Sequence, residues 1–282
     1  VTGVQTCALP ICWRAGPKKS SPLEREKVNS QRWRSNKEFT KEKTKKRIVI
    51  LGDSFLYGQG LNDEMILANR LQDLLGDSFE VYNFAVEGYS WDQIYAVATT
   101  EVPQYSPDWL IIGIIKNDLD LERNCLSYAW GSVQKPYFKI KDGNIYSPNT
   151  PISSPKEILR ENLGMKTQFI NQAVSLFSDL SLARAAGVII SKQIQKQCWQ
   201  TSLTLLEDIL KRYPLKEKLV FAEMDPLPQE FSVSAKKLPL TYIQLYQEEK
   251  KLAETSKILL DTTDGFHPGK NANELGARFL MP

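Results

Sequence analysis

Five positions in this 282-residue chain carry the residue types that acyl transfer needs: Ser54, His267, Asp264, Gly88 and Asn117. A serine hydroxyl is a poor nucleophile until a base takes its proton. An imidazole does this near neutral pH, and His267 is the only histidine in the sequence. Asp264, three positions before it, suits the orienting role: a carboxylate that holds the other ring nitrogen and stabilises the imidazolium. Asp261 competes for that role, but it follows the apolar run "KILL" directly and reads as a strand-end turn residue. A tetrahedral oxyanion needs donors already in place. The backbone N–H groups of Ser54 and Gly88 and the side-chain amide of Asn117 can supply them, and losing one such donor typically costs roughly 3–4 kcal/mol of barrier. One histidine cannot build a multi-histidine metal site, so neither metal nor cofactor is expected.

Taken singly, these residues are ordinary. Gly52-Asp53-Ser54 is turn chemistry, as are a lone Gly and a lone Asn at strand ends. "DGFHP" reads equally as a turn with Pro opening a helix. Their meaning depends on the elements that place them. "RIVILG" reads as a buried strand, an apolar run bounded by charge and Gly. "NDEMILANRLQDLLG" reads as an amphipathic helix with Asn62 as its N-cap. "FEVYNFA" is a second strand, and "SWDQIYAVATTEVPQY" a helix capped by Ser90 and ended near Pro103. "DWLIIGII" is a third strand and "KLVFAEM" a fourth. A helix around "TYIQLYQEEKKLAETS", a short strand "KILLD" and a final helix after Pro268 complete the pattern. Strand–helix alternation predicts a parallel sheet covered on both faces. Ligands of such sheets gather at the C-terminal ends of the strands. Ser54 follows strand one there, Gly88 strand two, Asn117 strand three, and Asp264 and His267 the last short strand. All five residues therefore fall on one rim.

In this arrangement the chain resembles the SGNH (GDSL-type) hydrolases, a family of flavodoxin-like esterases. Its blocks appear in the family's order: "GDSF" with Ser54, "NFAVEGYS" with Gly88, "IIKNDLD" with Asn117, and "DGFHP" with Asp264 and His267. The third block departs from the frequent GxND form: Lys116 precedes the Asn, and Gly113 lies further upstream. The resemblance runs from about Asn29 to the end and is weakest over residues 121–200. It implies a three-layer α/β flavodoxin-like fold, a parallel sheet with helices on both faces and a hairpin-plus-helix insertion. It also implies a serine esterase that cleaves a carboxylic ester through a Ser54–His267–Asp264 triad and an acyl-enzyme. A glycan O-acetyl group or a lipid ester would be the substrate. The segment before strand one and the hairpin resemble a bacterial subgroup often attached to the cell envelope, which points to an extracytoplasmic location. Two alternatives remain open: an acyltransferase with the same triad, and a non-catalytic module of the same fold in envelope polysaccharide assembly.

Other features bound the reading. Composition is that of a globular protein, 42% hydrophobic and 24% charged. No stretch approaches the ~18–20 apolar residues of a membrane span. The first eleven residues, "VTGVQTCALPI", resemble translated sequencing adapter, and residues 1–28 are set aside as an artefactual or disordered lead-in to a domain over 29–282. The true N-terminus would then be missing and any membrane anchor with it. Residues 13–47 carry a net charge of +9 and the remainder −6. The basic stretch is expected to be a solvated lead-in, since no aromatic interleaving or nucleic-acid module accompanies it. Excluding Cys7 and Cys12 leaves Cys125 and Cys198, which give no disulfide framework and no zinc spacing. "YFKIKDGNIYS" reads as a hairpin turning at Asp142-Gly143, and residues 154–195 as one or two helices, both within an insertion at about 121–200. An α/β-hydrolase elbow is excluded because "EGYSWD" has Asp92 where the second Gly belongs, and "GQGLND" and "PGKNA" lack nucleotide-binding spacings. Oligomeric state is not legible.

Overall fold

A computed structural model describes residues 26–120, 123–125, 128–129, 133–148, 181–256 and 266–281, with backbone alone for 128–129, 133–134 and 181–191. In chain order the elements are β1 (Lys46–Leu51), α1 (Ser54–Tyr57), α2 (Leu67–Leu75), β2 (Phe79–Asn83), α3 (Trp91–Thr100) and β3 (Trp109–Ile114). Two short pairs come next, β4 (Tyr128–Ala129) with β5 (Val133–Gln134) and β6 (Lys139–Lys141) with β7 (Asn144–Tyr146). The chain continues through α4 (Ser181–Arg212), β8 (Leu219–Glu223), α5 (Gln229–Ala235), β9 (Thr241–Ile243), α6 (Leu245–Ser256) and α7 (Lys270–Phe279).

Five strands form one parallel sheet in the order β2-β1-β3-β8-β9. Counted among themselves they run 2-1-3-4-5, the flavodoxin-like winding, whose switch point lies at the C-terminal ends of strands one and three. The alternation of side chains along each strand builds two cores. Val49 and Leu51, with Leu110, Ile112, Leu219 and Phe221, pack toward α3, α4 and α5. Ile48 and Ile50, with Ile111, Val220 and Ala222, pack toward α1, α2, α6 and α7. Both faces are thus covered, as the apolar runs of β1 and β3 require.

Several local expectations change. The helix read over Thr241–Ser256 begins instead with an edge strand: Thr241, Tyr242 and Ile243 pair with β8 before α6 starts at Leu245. These β-branched and aromatic residues suit a pleated surface, and Tyr242 stacks on Phe221 at 5.5 Å. The strand expected at "KILLD" lies outside the described residues. Asn62 does not cap α2, which starts at Leu67. The free N–H of Leu67 is met across the fold by Asn273 Oδ1 at 2.8 Å, which pins α2 to α7. Ser90 does precede α3, where its backbone N–H donates to Gln93 Oε1. The Asp142-Gly143 hairpin forms, with φ of 52° and 76° at the two turn residues, as a two-residue type I′ turn requires.

The basic stretch is only in part a solvated lead-in: Lys41 to Lys46 are exposed, but residues on either side of them are packed. Trp33 and Phe39 are buried beside Phe84, and Phe39 stacks on Tyr82 at 4.2 Å. Arg34 and Arg47 are fully buried. Each spends its guanidinium donors on backbone carbonyls and a carboxylate. Arg47 bonds Glu80, the Glu42 carbonyl and the Tyr105 carbonyl. Two of the positive charges in this run are therefore structural. The two cysteines also pair: Cys125 and Cys198 form a disulfide across 73 residues, tying the segment after β3 to α4. No described helix is long and apolar enough to cross a membrane.

Candidate active site

β1 ends at Leu51, and one turn of helix begins at Ser54. Asp53 caps that turn: its carboxylate accepts the Phe55 N–H at 3.0 Å, meeting one of the free donors of a helix start. Gly58, in the left-handed region at φ 84°, ends it. The turn sits hard against the strand tips because Gly52 and Gly113 leave room for Leu56. A Cβ on Gly113 would lie 2.4 Å from Leu56 Cδ1, and one on Gly52 would lie 2.8 Å from the Gly113 carbonyl oxygen. Gly113 therefore matters to this site through β3, although it stands outside the third sequence block. Asn83, at the end of β2, holds the turn from the other side through Nδ2 on the Leu56 carbonyl, 3.2 Å. Arg34 fixes the loop between α1 and α2, donating to the carbonyls of Tyr57, Gly58 and Leu61 and to Asp63. The polar triplet that ends β1 is thus a strand stop, a cap and the first residue of a helix.

Ser54 meets His267 across the sheet rim, with Ser54 Oγ and His267 Nε2 3.0 Å apart. Both are buried, at 8% and 9% exposure. His267 reaches this point from the segment just before α7. Phe55 and Phe266 flank its ring at 5.6 and 5.0 Å. Phe266 is half exposed, so part of the aromatic surface beside the imidazole is open to solvent. Ser54 Oγ also lies 3.4 Å from Asp53 Oδ2, a longer contact than that to the imidazole. Asp264 and its competitor Asp261 lie outside the described residues.

The loops after the two strands beside β1 carry the other expected residues. Gly88 adopts φ 74° in the turn after β2, where the Tyr89 N–H closes on the Val86 carbonyl. Asn117 is exposed on the single 3-10 turn Lys116–Leu119 after β3. Asp118 shapes that turn by accepting the Ile115 N–H at 3.0 Å.

One buried carboxyl, Asp53, borders the serine, and a second, Asp118, lies near enough to Asp53 to repel it. Burial pushes Asp53 up to about 6, against the Phe55 N–H and the nearby Arg123 and His267. Burial, and then repulsion from Asp53, hold Asp118 well above the usual carboxylate range, against Arg123. Sequence reading missed Asp118, Arg123 and Arg34. Each is one charged residue in a charged stretch, with no spacing to mark it. Among the described residues, no group of three or more His, Cys, Asp or Glu converges as a metal site.

This geometry presents a hydroxyl 3.0 Å from an imidazole nitrogen at the C-terminal rim of a parallel sheet, an arrangement that general-base activation of a nucleophile needs. A family model described as GDSL-like Lipase/Acylhydrolase matches residues 48–280. No curated protein matches the chain. Among solved structures the chain is similar to a lipase/acylhydrolase from Enterococcus faecalis, at 17% identity over 83% of this chain and 93% of that one, TM-score 0.43. It is similar to a putative GDSL-like lipase from Parabacteroides merdae, at 14% identity over 84% and 94%, TM-score 0.43. The psychrotrophic esterase EstA from Pseudoalteromonas sp., described as inhibited by monoethylphosphonate, is similar at 14% identity over 82% and 92%, TM-score 0.42. The family match covers most of the chain, from within β1 to the end of α7, and the chain belongs to the GDSL-like lipase/acylhydrolase family of ester-bond hydrolases.

Proposed function

We propose that the protein is a serine esterase in which Ser54 attacks a carboxylic ester and His267 is its general base. The observation that carries the reading is the 3.0 Å approach of Ser54 Oγ to His267 Nε2 at the sheet's C-terminal rim. The neutral imidazole with its proton on Nδ1 accepts the Ser54 proton at Nε2 as Oγ bonds the carbonyl carbon. The carbonyl π electrons move to oxygen. Backbone N–H groups of Ser54 and Gly88 and the Asn117 amide stabilise that oxyanion. Collapse breaks the ester C–O bond, and the leaving alcohol takes the proton from His267. Water then repeats the sequence on the acyl-enzyme, gives its proton to His267, and releases the acid as Ser54 regains a proton. Asp264 orients Nδ1–H and stabilises the imidazolium. The substrate class is a carboxylic ester, with a glycan O-acetyl group or a lipid ester as the candidates. The aromatic border of Phe55 and Phe266 favours an apolar acyl or alcohol part over a charged one.

A series of chromogenic esters of increasing acyl length tests this reading. Turnover with at least one ester, lost in Ser54→Ala at unchanged melting temperature, is expected. Equal turnover by the Ser54→Ala variant contradicts it. A sugar hydroxyl included as acceptor shows whether the acyl group passes to water or to the sugar.

A further inference from the structure

Arg123 lies just beyond the 3-10 turn after β3, with its side chain 17% exposed. One guanidinium nitrogen, Nη2, donates to the Tyr89 carbonyl at 3.1 Å. The other, Nη1, lies 3.7 Å from Asp118 Oδ1, a buried oxygen that accepts no hydrogen bond from any described residue. Tyr89 is the residue after Gly88, and Asp118 is the residue after Asn117. The planar fork of Arg123 therefore spans the two loops that hold the proposed oxyanion donors, reaching each at the neighbouring residue.

The backbone that follows Arg123 is fixed. Asn124 accepts the Asp92 N–H through Oδ1 at 3.2 Å and donates through Nδ2 to Ser202 Oγ at 2.8 Å. The Cys125 N–H donates to Asp92 Oδ2 at 2.6 Å, and the same oxygen accepts Lys135 Nζ at 2.8 Å. Cys125 is also bonded to Cys198 on α4. The tripeptide Arg123-Asn124-Cys125 is thus anchored to α3 and α4 and holds the arginine over the rim.

We propose that Arg123 is a positioning residue of this esterase, which sets the distance between the Gly88 loop and the Asn117 loop and so the geometry of the oxyanion donors. The inference rests on Gly88 and Asn117 being those donors. An arginine suits the task because its donors diverge in one rigid plane and can hold two acceptors on separate loops. A lysine concentrates its donors at one point and cannot keep that spread.

The test is steady-state kinetics on a chromogenic short-chain ester with the wild type, Arg123→Gln, Arg123→Lys, Asn117→Ala and the double variant Arg123→Gln/Asn117→Ala. Loop displacement on the order of an ångström lowers a rate by up to roughly 100-fold. Arg123→Gln is expected to lower kcat by about 10–100-fold with KM within about twofold. Arg123→Lys, which keeps the charge beside Asp118 and so guards against a variant that fails to fold, is expected to keep the wild-type melting temperature and still lose kcat. In the Asn117→Ala background the arginine substitution is expected to remove less than about threefold more, because the donor it positions is already gone. Wild-type kcat in Arg123→Lys, or the same fold-loss from Arg123→Gln in both backgrounds, overturns the proposal. An Asn117→Ala variant with wild-type kcat instead overturns the donor assignment beneath it, and the two failures are separate readings of one data set.

Discussion

Ser54 and His267 were legible as residues because chemistry restricts them: one histidine in the chain, and a serine at the tip of an apolar run. Asp264 was read by the same logic but lies outside the described residues, and its proposed role yields a direct comparison. Asp264→Asn is expected to lower kcat by roughly 10⁴ with KM little changed, through loss of the correct imidazole tautomer, while Asp261→Asn stays near wild type. The reverse order of effects assigns the role to Asp261. Asp53 supports a prediction about pH. Its carboxyl in the folded protein is raised to about 6 from 3.8, chiefly by burial. Between those values the folded state keeps a proton that the unfolded chain releases, so stability from this group falls as pH rises through that window. At ~1.4 kcal/mol per unit the loss is at most about 3 kcal/mol. Asn caps a helix as well as Asp, so Asp53→Asn should match the wild type in denaturant unfolding at pH 4 and exceed it at pH 7. A wild type that gains on the variant as pH rises contradicts the burial argument. Asp118, Arg123 and Arg34 were not legible. Their importance comes from what the fold places around them, and nothing in a single charged residue announces that it will be buried.

At the scale of elements, the apolar runs of β1, β3 and β8 made the centre of the sheet legible, because a strand buried on both faces has little freedom of composition. β9 was hidden. Three residues are too few to show a period of two, and "TYI" adjoins a stretch with helical spacing. The cap of α2 was hidden for a different reason: Asn273 supplies it from over 200 positions away. The Cys125–Cys198 bridge had no sequence signature either, since two cysteines in a long chain fix no pairing. Its effect is measurable. Cys125→Ser is expected to lower unfolding free energy in denaturant by about 2–4 kcal/mol, and reductant should bring the wild type to the same midpoint. A wild type indifferent to reductant contradicts the bridge.

At the scale of the whole molecule, the three layers bring Ser54 and the loops carrying Gly88 and Asn117 to the ends of β1, β2 and β3, and His267 reaches Ser54 from the segment before α7. The segment from Asn29 to Arg47 braces that rim from the amino-terminal side: Arg34 holds the loop behind Ser54, while Trp33 and Phe39 plug the edge of the α3-side core. Charge counting alone read this segment as solvent-exposed, because net charge records how many cations a stretch has and not which of them find buried acceptors. Trp33→Ala is expected to cost about 3–5 kcal/mol in denaturant unfolding, as loss of a fully buried aromatic does; a cost under about 1 kcal/mol would mean that the segment does not pack on the domain. Every role proposed at this rim depends on Ser54 being an activated nucleophile, and reaction with a fluorophosphonate followed by peptide mass mapping reads that out. A single adduct on Ser54 is expected, abolished in Ser54→Ala and strongly slowed in His267→Ala. An adduct on another serine such as Ser90, or labelling that persists undiminished in Ser54→Ala, contradicts the assignment.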